Sequence, residues 1–304
     1  MQAVDTGTYT VVVSTSAGAV TSAAATLGLG SSRLVNMSVR STAGAGNETL
    51  IVGFVVGPGA PLPLLLRGVG PTLGSFGVNG ILADPVLTLL SGGGAVLATN
   101  DDWGAAVNAS QITAIANQSG AFALPASSRD AALLSSLVPG SYTAQVVGKA
   151  AATGVVLMEA YDAATSPAST ARFVNLSART QVGSGGAVLI AGFVISGNVP
   201  KQVLIRGVGP TLTGFGVGGV LADPLLSLFR QGTTTALQQN DNWSTATNAA
   251  QISPACAQVG AFALPANSRD AALLVTLAPG TYTAQVSGVG NTTGVALVEI
   301  YEVP

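Results

Sequence analysis

The chain has 304 residues, a length that suggests about two domains. Only 8% of them are Asp, Glu, Lys or Arg, against roughly 25% in an ordinary soluble protein, and the formal net charge is −2. That charge excludes a basic, phosphate-binding face and so a nucleic-acid partner, while the absence of histidine excludes Ser–His and Cys–His catalysis and imidazole zinc sites.

Mean hydropathy is high, at +0.54. Even so, the apolar runs (50–56, 62–66 and 188–195) are short and broken by Gly and Pro, so no membrane-spanning helix is expected. Many buried strands with small uncharged polar residues outside them explain the same composition. Cys256 is the single cysteine and reads as a small buried hydrophobe, with no intrachain disulfide available. Met1 leads into Gln-Ala-Val-Asp without a basic or apolar leader, so a signal peptide is not expected within this sequence.

Residues 1–30 stand apart from the rest. Two alternating strands, about 8–14 and 19–27, are expected around a Ser16-Ala17-Gly18 turn. Asp5, Gly7 and Tyr9 form a D-x-G-x-Y pattern before that turn. This stretch resembles the tyrosine corner and last two strands, F and G, of an immunoglobulin I-set domain. Val11 stands where many members of that family carry a cysteine, so the family's disulfide is absent.

Residues 31–168 and 169–304 form two copies of one module. RGVGPTL at 67–73 recurs at 206–212, and YTAQV at 142–146 recurs at 282–286. One residue inserted between Leu90 and Asn100 shifts the offset from 139 to 140. Val35, Met37 and Val39 alternate with polar neighbours, as on a half-buried strand. Further strands are expected near 49–57, 62–68, 86–90, 94–99, 130–136, 141–147 and 153–162, with Pro139-Gly140 and Pro279-Gly280 as turns. A helix is expected over 109–118, with Asn108 and Gln111 placed as a capping box and Gly120 as its stop. Pro254 is expected to shorten or kink the second copy of that helix. The fold class that follows is all-β: two tandem antiparallel jelly-roll-like sandwiches preceded by an immunoglobulin-like hairpin, joined by a short linker at 166–169.

The second half of each module, from LTLLSGGGAVLATNDDW to TGVVLMEAYD, resembles bacterial pre-peptidase C-terminal-type domains. That resemblance implies a secreted or cell-surface location, a non-catalytic role and, for some members, calcium. Asn100, Asp101 and Asp102, with Asn240 and Asp241 in the second copy, gather side-chain oxygens suited to calcium. Asx turns leading into a Trp-anchored loop explain the same residues. No other cofactor is expected.

Eight of the nine arginines fall in four matched pairs: 33/172, 40/179, 67/206 and 129/269. These are expected to make structural ion pairs with Asp84/Asp223, Asp130/Asp270 and Glu159/Glu299. No acid or nucleophile constellation for an enzyme emerges. The expected function is an extracellular bacterial building block of a layer, stalk or filament, assembling as a homo-oligomer or head-to-tail polymer by strand complementation through the hairpin. The alternative is a calcium- or carbohydrate-binding adhesion module, for which exposed aromatics, Trp103 and Trp243 first, would be the mark.

Overall fold

The computed structural model describes residues 7–27, 30–44, 46–164 and 171–304. Asp5 and the linker at 166–169 lie outside them. The hairpin consists of β1 (Gly7–Tyr9) pairing with β4 (Ala25–Leu27) and β2 (Val12–Thr15) pairing with β3 (Gly18–Thr21). Each expected strand is therefore interrupted once. At the interruption Val11 N–H donates to the Ser22 hydroxyl, and the Ser22 amide donates back to the Val11 carbonyl.

The first module contributes β5 (Ser32–Ala43), β6 (Leu50–Val56), β7 (Leu62–Val69), β8 (Pro85–Ser91) and β9 (Val96–Asn100). Helix α1 (Ala109–Gln118) follows, then β10 (Ala131–Leu137), β11 (Gly140–Gly148) and β12 (Gly154–Asp162). The second module repeats the order. It runs through β13 (Phe173–Val182), β14 (Leu189–Gly197), β15 (Lys201–Val208), β16 (Pro224–Arg230) and β17 (Gln238–Asn240). It closes with α2 (Ala249–Gln258), β18 (Ala271–Leu277), β19 (Gly280–Gly288) and β20 (Gly294–Glu302).

The modules are stitched together by an exchange of strand partners. β5 pairs with β12 of its own module on one edge and with β14 of the other module on the second. β13 pairs likewise with β20 and with β6. Two sheets result, in the orders β10-β7-β12-β5-β14-β19-β16-β17 and β18-β15-β20-β13-β6-β11-β8-β9, each half from one module and half from the other. They touch through the Phe173–Leu34 pair. Between them lies one continuous core, from Leu34, Met37 and Phe54 to Phe193, Val298 and Ile300.

The register of the seam explains two glycines inside strands, where glycine ordinarily weakens the structure. Gly192 faces Ser38, and Gly53 faces Ser177. A Cβ built on Gly192 would lie 2.5 Å from Ser38 Oγ, and one on Gly53 would lie 2.7 Å from Ser177 Oγ. The serine side chains occupy the space that a larger residue would need.

β6 alternates buried and half-buried residues, as a strand with one covered face should. β7 is buried at almost every position because its outer face is covered as well. There Leu65, Ala132 and Tyr161 pack against Trp103, Ile112 and Ala116 of the α1 segment, and Leu204, Ala272 and Tyr301 repeat the packing with Trp243 and Ile252. The expected capping box is not made: neither Asn108 nor Asn248 caps its helix with a side-chain hydrogen bond, and Asn248 Nδ2 donates instead to the Leu274 carbonyl. Pro254 lies inside α2 without shortening it, since both helices span ten residues. No helix among the described residues is long and apolar enough to cross a membrane.

Candidate functional site

The hairpin packs its Gly-x-Tyr motif as the modules do. A Cβ on Gly7 would meet the Tyr9 ring at 3.8 Å, as one on Gly140 would meet the Tyr142 ring at 3.8 Å. The likeness stops at burial. Tyr142 is 8% exposed and donates its hydroxyl to the Val138 carbonyl, whereas Val11, Val12, Val13 and Val20 of the hairpin are 59–76% exposed. Every described hairpin strand pairs only within the hairpin.

The Asn100–Trp103 loop is tied inward. Asn100 Oδ1 accepts from the Ala132 amide at 2.9 Å while its Nδ2 donates to the Asp102 carbonyl. Asn240 repeats this with Ala272 and Asn242. Asp101 faces away and takes a hydrogen bond from Lys149 at 2.6 Å, and that bond, with the lysine's charge, holds its carboxyl below the ordinary carboxylate range. Trp103 and Trp243 are buried, each donating its indole N–H, to the carbonyls of Pro125 and Pro265 at 3.0 Å. Asn100, Asp101, Asp102, Asn240 and Asp241 thus lie at the ends of β9 and β17 and in the loops that follow, with the Asn100 and Asn240 side chains committed to anchoring the loop. Among the described residues no group of three or more His, Cys, Asp or Glu could hold a metal ion.

The ion pairs follow the repeat. Arg67 and Arg206 are fully buried. Arg67 Nε and Nη2 both donate to Glu159 Oε2, at 2.8 and 2.5 Å, and its Nη1 donates to the Phe122 carbonyl. Tyr161 donates to the other Glu159 oxygen at 2.7 Å. Arg206, Glu299 and Tyr301 form the matching cluster. Burial, reinforced by the neighbouring glutamate's charge, pushes both tyrosine hydroxyls well above their ordinary value. Arg129 and Arg269 pair with Asp84 and Asp223 at 2.9 Å, Arg33 with Asp162, and Arg172 with Glu302.

Two of the expected pairings are replaced. Asp130 and Asp270 meet no arginine; each accepts from backbone amides of the Gly-Val-Gly-Pro-Thr turn (Gly70 and Thr72, Gly209 and Thr211) and from the threonine hydroxyl. A carboxylate holding a tight turn explains that motif without a phosphate. Among the described residues Arg40 and Arg179 make no ion pair or hydrogen bond. They lie on the outer faces of β5 and β13, and near them Phe76 and Phe215 are 60% and 62% exposed. The sequence signal for this pair is that both arginines recur at matched positions, 40 and 179.

No family model matches the chain, and no curated relative does. One solved structure that it resembles is a DUF4785 family protein from Legionella pneumophila, at 8% identity over 91% of this chain and 83% of that one, with a TM-score of 0.22. A likeness that distant carries no argument about this protein.

Proposed function

We propose that the chain is a non-catalytic, extracellular bacterial structural protein, a building block of a cell-surface layer, stalk or filament. It assembles when the N-terminal hairpin of one copy complements a sheet of the next. The carrying observation is the hairpin itself: an apolar β-ribbon with valines 59–76% exposed, paired with no strand of either module. Such a ribbon is a template for pairing, and a head-to-tail contact that does not close propagates as a fibre.

The receiving edge is β9. At the opposite end of each sheet, β10 and β18 have edge amides (Ala132, Ala272) already taken by Asn100 and Asn240. β17 is cut to three residues. β9 keeps five uncharged residues and exposes Val96 and Leu97, at 64% and 49%. Its edge therefore lacks the charges that usually block such pairing.

The test is electron microscopy of the full chain, a version lacking residues 1–29, and Val13→Lys. The full chain should form fibres and both variants should not. Fibres of unchanged form after the deletion would refute the proposal.

A further inference from the structure

Because partners are exchanged, two grooves cross the seam, one on the outer face of each sheet. The first, of about 550 Å³, brings Arg40 and Phe76 of the first module beside Ile190, Thr283 and Gln285 of the second. The second, of about 710 Å³, brings Arg179 and Phe215 of the second module beside Thr49 and Ile51 of the first. Arg40/Arg179, Phe76/Phe215 and Ile51/Ile190 are repeat equivalents, each 139 residues apart. In a chain with so few charges, the first groove presents a guanidinium with no acid among its lining residues; the second also carries Glu48, which makes no ion pair with Arg179, and each guanidinium stands beside an exposed aromatic ring.

We infer that these grooves bind an acidic polysaccharide, its sugar-ring carboxylates held by Arg40 in the first and, more weakly because Glu48 shares that groove, by Arg179 in the second. The planar guanidinium fork matches a carboxylate in two parallel hydrogen bonds. The exposed phenyl rings offer an apolar face for a pyranose. The Ser38, Thr283 and Gln285 side chains supply hydroxyl and amide groups for sugar hydroxyls on the groove floor. A peptide is less well served. β5, β14 and β19 all have both edges already paired, so the floor offers no backbone for an extended chain to add to. This inference does not depend on hairpin assembly.

The test is calorimetric titration of the full chain with oligogalacturonate at low salt, with dextran and polyglutamate as controls. Arg40→Ala/Arg179→Ala should weaken oligogalacturonate binding roughly tenfold or more, with an unchanged melting temperature because both side chains lie on the outer face. Arg40→Lys/Arg179→Lys should fall between that variant and the parent, since lysine keeps the charge but loses the fork. Dextran and polyglutamate should bind far more weakly than oligogalacturonate. No binding by the parent, equal binding of dextran, or parent-like affinity in the alanine variant would overturn the inference. Equal or tighter binding of polyglutamate would overturn it in favour of an acidic peptide.

Discussion

Arg67 and Arg206 carry full charges while fully buried, and each is held by its own glutamate, which also accepts a tyrosine hydroxyl. Removing one member of such a pair strands the other. Arg67→Ala should therefore cost about 3–5 kcal/mol in denaturant unfolding, because Glu159 would be left buried and unpaired. The tyrosines add a pH dependence whose sign follows from their raised ionisation. Tyr161 and Tyr301 stay protonated in the fold but lose a proton near pH 10 when unfolded. Their contribution is complete below that value and is lost as pH rises above it. Stability should fall above pH 10, and Tyr161→Phe/Tyr301→Phe should flatten the fall. The Asn100 and Asn240 loops give a third check. Their side chains are spent on backbone groups, so EDTA should leave the melting temperature unchanged; a calcium-dependent rise would restore the loop as a metal site. Much of this was legible in the sequence, since repeat-matched arginines and acids pointed to Asp84, Asp223, Glu159 and Glu299. Asp130 and Asp270 were misassigned because a carboxylate can satisfy a tight turn's amides as well as a guanidinium, and sequence spacing does not separate the two.

Strands were read well where burial alternates and less well where a second layer covers them. The stretch expected at 86–90 forms Pro85–Ser91, and that at 130–136 forms Ala131–Leu137. β7 gave a nearly continuous apolar run, whose cause is the α1 segment on its outer face. In the second copy the capping box is not made because Asn248 reaches a strand carbonyl instead, a tertiary partner no local pattern reports. Partner exchange was also hidden, although Gly53 and Gly192 were its traces. Gly192→Ala should destabilise the fold by about 1–3 kcal/mol, since its Cβ would press on Ser38 Oγ. Adding Ser38→Ala removes that atom and should recover most of the loss. A strictly additive double variant would contradict the seam register.

At the scale of the molecule, the reciprocal seam makes the two modules one cooperative body. β14 is the repeat equivalent of β6, so the β5–β14 and β13–β6 pairings are two versions of one contact. Residues 30–164 expressed alone keep a free β5 and a free β6, and two copies can satisfy each other in the same way. That fragment should run as a dimer in light scattering after size exclusion; a folded monomer would argue against the exchange. The repeat revealed two modules but not their joining, because a pseudo-twofold pairing leaves the same periodic pattern as two separate sandwiches. Among the described residues the hairpin strands pair with neither module. The most direct measurement is therefore the weight-average mass of the full chain and of the chain lacking residues 1–29, followed by analytical ultracentrifugation over a wide concentration range. Mass should grow without limit for the full chain and stay that of a monomer for the truncated one. A full chain that stays monomeric, or a truncated chain that grows equally, would contradict it.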